Sequence, residues 1–299
     1  MVIKCSLCPR KCGAVRDEVH GEGRCRMPSV PVCARAALHR WEEPCLSGET
    51  GAGTVFFSGC VLDCVFCQNG PISHENFGQT LTEDELYAAF ERLAAQGAAC
   101  VELVTPTQFS HVLARVLERP VPGGLPVVWN SGGYERVETL RSLEGKVDVY
   151  LPDLKYVTPE LAEKYSGAAD YPDAAKAAIL EMYRQRGPVR MEDGLLKSGV
   201  LIRHLVLPGQ AAEAKRAMDW VASAFPPGAV LFSLLAQYTP VRDAPTGLLD
   251  GFPELRRPLR PSELRAAREY MENLGLAGYA QELGSVGEEF IPAFDLTGL

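Results

Sequence analysis

The chain has no apolar run long enough to cross a bilayer. Its first residues, Met-Val-Ile-Lys-Cys, lack the apolar core of a secretory signal. It has no long run of lysine or arginine. The densest basic stretches, Arg184 to Arg190 and Arg256 to Arg260, read as solvated helix ends and loops, and the net charge is -8. A nucleic-acid footprint is more basic than this. Internal repeats and low-complexity segments are absent. Beyond residue 68 there is almost no cysteine, Cys100 alone. These absences lead us to expect a cytoplasmic protein with neither a membrane nor a nucleic acid as partner.

What is present is concentrated at one end. Ten cysteines without a secretion signal read as metal ligands, not disulfides, and nine of them precede residue 68. Cys60, Cys64 and Cys67 are spaced C-x3-C-x2-C within Ser58 to Asn69. Three thiols in so short a loop can hold three corners of a four-iron cubane, whereas ferredoxin-type runs supply four cysteines per cluster. One iron would lack a protein ligand, and an open coordination position is where chemistry occurs. Cys5, Cys8, Cys12 and Cys25 form a second set, C-x2-C-x3-C-x12-C, with Pro9, Gly13, Gly21 and Gly23 supplying turns. Four thiolates suit zinc or a second 4Fe-4S cluster. Crowding of three into eight residues tilts toward the cluster, and Cys33 is an alternative to Cys25 as fourth ligand. A segment this short builds little core, so a metal would supply folding energy. Cys45 and Cys100 read as buried, incidental cysteines.

At 299 residues and 46% hydrophobic, the chain can bury one large α/β domain plus an appendage. Six apolar runs predict strands: Thr54 to Phe57, Val101 to Val104, Pro126 to Trp129, Val147 to Leu151, Val200 to Leu207 and Val230 to Leu235. Helical signals separate them. Thr82 and Glu85 form a capping box, Pro159 follows Thr158 at a helix start, and a last helix is expected over Ser262 to Leu274. Strands apolar on both faces with helices between predict a parallel sheet. The boundaries read as a cysteine-rich metal-binding extension over 1–50 and a main domain over 51–299. The tail after Gly278 is expected across the mouth of the domain.

C-x3-C-x2-C with Phe66 directly before the last cysteine resembles the signature of the radical S-adenosylmethionine (radical SAM) superfamily. The longer stretch FFSGCVLDCVFCQN resembles the uncharacterised relatives of pyruvate formate-lyase activating enzyme, and His39 to Pro44 matches a similar His-x-x-Glu-Glu-Pro lead-in. The resemblance implies a partial (β/α)6 barrel, a 4Fe-4S cluster on Cys60, Cys64 and Cys67, and S-adenosylmethionine as cofactor. Reductive cleavage of that cofactor would give a 5′-deoxyadenosyl radical that takes a hydrogen atom from substrate. The implied electron donor is a reduced flavodoxin or ferredoxin. By resemblance Asp153-Leu154-Lys155 is an Asp-x-Lys segment whose lysine holds the cofactor carboxylate. Arg203 lies where an Arg or His reaches the cofactor. Thr105-Pro106-Thr107 replaces the family's Gly-Gly-Glu run, leaving the amino-group contact open. At successive strand ends, Thr105, Thr107, Asn130, Ser131, Asp153, Lys155, Arg203 and Gln237 are therefore cofactor-binding candidates, with Phe66. Glu42 and Glu43 read as anchors of the linker. The substrate expected first is a protein or peptide, as for a glycyl-radical activase. A small molecule is the second reading, and a non-catalytic iron–sulfur or zinc protein the third.

Overall fold

The computed structural model describes residues 2–240, 249–283 and 292–299. In chain order its strands are β1 (Ile3–Lys4), β2 (Val15–Arg16), β3 (Val32–His39), β4 (Ala52–Phe57), β5 (Gln79–Thr80), β6 (Val101–Val104) and β7 (Val127–Ser131), followed by β8 (Val149–Pro152), β9 (Arg190–Glu192), β10 (Leu195–Leu205), β11 (Leu231–Leu235) and β12 (Gly278–Ala280). β1 and β2 pair by themselves. The others form one sheet, ordered β12-β11-β10-β8-β7-β6-β4-β3-β5, with β9 attached to β10.

The six predicted strands correspond to β4, β6, β7, β8, β10 and β11. They pair in parallel in that order, and helices connect them. The α/β partial barrel follows from their composition. Every residue of β4, β6, β7 and β8 is buried, as strands covered on both faces require. Parallel pairing brings each strand's C-terminal end to the same side of the sheet.

The helices follow their signals. Over Glu83–Ala95 the Thr82 hydroxyl accepts from the Glu85 amide at 3.2 Å, and the Glu85 carboxylate accepts from the Thr82 amide at 2.8 Å. Leu86, Ala89, Phe90 and Leu93 bury one face of that helix. The last helix spans Pro261–Leu274 and ends on Gly275 at φ 67, the left-handed cap that glycine adopts without strain.

Two expectations change. β3 pairs antiparallel with β4 from Cys33 to His39, so the sheet begins at Val32, within the stretch read as the extension. An antiparallel strand has no crossover helix to announce it. The tail divides. β12 extends the sheet in parallel beside β11, and the Ala36 amide donates to the Thr297 carbonyl at 2.8 Å, docking the C-terminus on β3. The tail's middle, 284–291, lies outside the described residues, and Pro292 beyond it lines the cavity at the strand ends.

Candidate active site

A cavity of about 240 Å³ lies at the C-terminal ends of the parallel strands, the side on which β/α barrels carry their chemistry. One wall is the loop after β4, with Cys60, Cys64 and Cys67. The loop is held open by close packing. A Cβ on Gly59, at φ 76, would lie 2.4 Å from Met27 Cγ and 2.8 Å from the Cys25 carbonyl. The Gln108 amide Nε2 donates to the Ser58, Gly59 and Thr105 carbonyls at 2.9, 3.0 and 2.8 Å. One buried side chain thus ties the start of the cysteine loop to the next strand end.

The three sulfurs suit thiolate ligands. Each accepts a hydrogen bond from a different donor: the Leu62 amide to Cys60 at 3.5 Å, the Ser166 hydroxyl to Cys64 at 3.0 Å, and the Ser73 hydroxyl to Cys67 at 3.2 Å. Burial pushes the Cys64 thiol up to about 12, and the neighbouring Cys60 and Cys67 add to the shift, while the Lys155 ammonium opposes it. Such a thiolate requires a cation directly beside it. Iron of a cluster meets that requirement, and the donors on each sulfur are the outer shell that orients such ligands. Phe66 is buried behind the loop, edge-on to Tyr156, Tyr165 and Tyr238.

The opposite wall is a charged network on the ends of β7, β8 and β10, joined by Glu42 from the turn after β3. The Arg203 Nε donates to Asp153 Oδ1 at 3.0 Å, its Nη2 to Asn130 Oδ1 at 2.5 Å, and its Nη1 lies 3.4 Å from Glu42 Oε1. Lys155 Nζ donates to Asp153 Oδ2 at 2.5 Å. Burial alone would lower the Lys155 ammonium and raise the Asp153 carboxyl. The facing charges more than offset it, so Lys155 is raised and Asp153 lowered, with Arg203 assisting at the carboxylate. Both are therefore ionised in the neutral range. Gly132 is flush with the wall. A Cβ there would meet Leu62 Cδ1 at 2.9 Å and fill the gap beside Lys155.

Asn130, Ser131, Asp153, Lys155, Arg203 and Gln237 all line the cavity, as do Thr105 and Phe66. Thr105 sits at φ 58, an uncommon conformation for a β-branched residue. Its amide donates to the Asn130 carbonyl at 2.8 Å, which helps hold that geometry. Thr107 is placed elsewhere. Its hydroxyl donates to the buried Glu135 at 2.6 Å, beside the Trp129 indole N–H at 3.2 Å from the same oxygen. Three residues past the strand end, the chain has entered the 3₁₀ turn Thr107–Phe109, which turns that side chain away.

Glu42 also belongs to the wall, not to the linker alone. Behind it Glu102, fully buried in β6, accepts from Asn130 Nδ2 at 2.6 Å. Burial first, then the Glu42 carboxylate, drives its pKa well up, so Glu102 carries a proton opposite Glu42. Neither acid was assigned a cofactor role from sequence. The only signal for Glu102 was one acidic residue inside an otherwise apolar strand.

The residues fit the two groups that the cysteine motif implies. The sulfurs face a cavity, and the cavity offers cations for a carboxylate, Glu42 and Asp153 for an ammonium, Asn130 and Ser131 for hydroxyls, and Leu205, Leu207 and Leu235 as apolar surface.

Residues 54–221 match the family described as the Radical SAM superfamily. The chain belongs to the radical SAM superfamily. Members of this family are enzymes that use a 4Fe-4S cluster with S-adenosylmethionine. The chain is 28% identical over 280 residues to "Uncharacterized protein MJ0674" of Methanocaldococcus jannaschii, covering 91% of this chain and 75% of that protein. Among solved structures it resembles Streptococcus suis SuiB, with TM-score 0.54, 12% identity and 77% of this chain covered. The match spans only 48% of the SuiB chain. It also resembles a mutant of spore photoproduct lyase, with TM-score 0.51, 13% identity, and 82% and 80% of the two chains covered. At such identities the structural likenesses speak for the radical SAM fold alone.

Four thiols of the N-terminal segment, Cys5, Cys8, Cys12 and Cys25, line a second, smaller cavity. Cys33 does not line it. It lies in β3 opposite Phe57, fully buried, because that strand belongs to the sheet. Cys45 and Cys100 pack in a separate apolar cluster at the other end of the strands.

Proposed function

We propose that this radical SAM enzyme acts on a protein or peptide, abstracting a hydrogen atom from a residue presented at the cavity mouth, in the manner of a glycyl-radical activase. The observation that carries the reading is the cysteine loop itself: FFSGCVLDCVFCQN, which resembles activating-enzyme relatives, faces a cavity at the C-terminal ends of the strands. With the cofactor pair in that cavity, one residue of a longer chain can present its reacting carbon at the mouth.

When bound, the cluster and S-adenosylmethionine supply a one-electron cleavage of the sulfonium that yields methionine and the 5′-deoxyadenosyl radical. The protein's own residues do the rest. Lys155 and Arg203 offer their donors to the cofactor carboxylate, and Glu42 and Asp153 offer acceptors to its ammonium. The Asp153 carboxylate, bonded on one oxygen to each cation, fixes both against rotation. Phe66 and its tyrosine neighbours keep water from the back of the cysteine loop. A reduced flavodoxin or ferredoxin is the proposed electron source, in the cytoplasm, and the N-terminal cysteines are proposed to hold a second metal centre.

The test is isotopic. Anaerobically reconstituted and reduced protein is incubated with S-adenosylmethionine and glycine-containing peptides deuterated at the α-carbon, and in parallel with deuterated free amino acids. Deuterium in 5′-deoxyadenosine from a peptide supports the reading. Transfer only from a free amino acid, with none from any peptide, overturns it in favour of a small substrate.

A further inference from the structure

The N-terminal cavity contains everything a second redox centre needs. Cys5, Cys8, Cys12 and Cys25 line it together with Arg16. Cys5, Cys8 and Cys25 are buried around it. Gly23 lets the chain close over them, since a Cβ there would lie 3.2 Å from the Cys12 sulfur. Arg16 is fully buried. Its donors go to the Met27, Pro28 and Gln108 carbonyls and, at 3.5 Å, to the Cys5 sulfur. A buried guanidinium bonded only to carbonyls and sulfur requires negative charge beside it, and four metal-bound thiolates provide that charge.

Spacing bears on which metal. Cys5, Cys8 and Cys12 crowd three of the four thiols into eight residues, as the corners of a cubane can take them, whereas structural zinc sites usually pair two C-x2-C knuckles.

The two sets share a wall. Val61 lines the N-terminal cavity, while its neighbours Cys60 and Leu62 line the large one. Arg10, between Cys8 and Cys12, donates to the Val61, Leu62 and Ser166 carbonyls at 3.0, 3.1 and 2.9 Å. Ser166 in turn donates through its hydroxyl to Cys64. Gln108 lines the N-terminal cavity and holds the Ser58 and Gly59 carbonyls. One thickness of backbone separates the centres. Cys12 is exposed, whereas Cys64 is buried.

We propose that Cys5, Cys8, Cys12 and Cys25 hold a second 4Fe-4S cluster, which accepts one electron at a time from an external low-potential donor protein and passes it across the Cys60–Leu62 wall to the Cys60, Cys64, Cys67 cluster. The destination of the electron rests on the radical SAM reading above. The transfer is balanced: the donor loses one electron, the outer cluster is reduced and then reoxidised, and the inner cluster ends one electron richer. No bond is made or broken in the relay.

Iron, acid-labile sulfide and zinc are measured on the full chain after anaerobic reconstitution. Wild type is expected to hold about eight irons, and the triple variant C60A/C64A/C67A about four, one cubane each, with an electron paramagnetic resonance signal from a reduced cluster in the triple variant. A triple variant with zinc and no iron overturns the second cluster. A wild type whose only iron survives that triple substitution would instead defeat the assignment of the inner site, so the two failures are distinguishable. For the relay, Cys12→Ser alters only the exposed ligand. It is expected to lose 5′-deoxyadenosine formation driven by reduced flavodoxin while keeping that driven by dithionite. Equal rates with either reductant in variant and wild type overturn the relay.

Discussion

The two cysteine sets differ in what surrounds them. The loop after β4 brings three thiols to the edge of a cavity whose far wall is ionised and polar. The N-terminal segment brings four thiols around a small cavity whose one buried cation, Arg16, bonds to carbonyls and sulfur. Three ligands leave a position on the metal for another molecule, and four do not. The difference in thiol count is thus matched by a difference in surroundings: groups able to receive a charged small molecule in one place, and chain packed against chain in the other.

The largest expected effect separates the sets outright. Cys64→Ala removes one of three ligands and should abolish 5′-deoxyadenosine formation, while the N-terminal metal, counted after separation from excess iron, stays bound. Parallel loss of both metals would show that the sites are one folding unit and break the comparison.

Next comes the charged wall. Arg203→Leu leaves Asp153, Glu42 and Asn130 without their shared donor. Breaking a buried charged network costs about 3–5 kcal/mol, measured as a lower denaturant midpoint at constant slope. S-adenosylmethionine affinity should fall with it, read by calorimetry. An unchanged midpoint would mean that solvent screens the wall.

A smaller effect depends on pH. Burial, then the Glu42 charge, raises the Glu43 carboxyl to about 7. A folded pKa above the unfolded value of about 4.5 contributes stability that is fully present below 4.5 and is lost as pH rises through 7, at most about 3 kcal/mol over that span. Glu43→Gln should flatten the stability profile between these limits. A profile that kept its slope would place the titration on another group.

The mildest change is Ser166→Ala. It deletes the hydroxyl at 3.0 Å from the Cys64 sulfur and should leave four irons on the inner site. Hydrogen bonds to cluster sulfurs set reduction potential, so the inner potential should fall while the N-terminal potential holds steady. Spectroelectrochemistry on Ser166→Ala and wild type reads the inner potential, and the C60A/C64A/C67A variant supplies the N-terminal signal alone for comparison.

Much of the barrel was legible because its signals are local. Buried parallel strands are continuous apolar runs, and Thr82 with Glu85 caps its helix within four residues. β3 was not legible: its pairing with β4 comes from tertiary contact, and its sequence, Val-Cys-Ala-Arg-Ala-Ala-Leu-His, does not alternate cleanly. At the site, Asn130, Asp153 and Lys155 could be named because each ends a strand on the cavity side. Thr107 misled because a 3₁₀ turn begins there, three residues beyond the strand. Glu42 and Glu102 escaped assignment to the cofactor wall because their meaning lies in their distance from Arg203 and from each other.

The amino-acid sequence by itself determined the family, the parallel sheet and the two cysteine sets, since spacing, apolar runs and caps act over a few residues. Only the tertiary structure decided that Cys25 and not Cys33 joins the N-terminal thiols, that Glu42 faces the cofactor wall, and that one strip of backbone separates the two cysteine cavities. Those are relations between residues far apart in the chain, fixed by which strands pair and by where buried charges find partners.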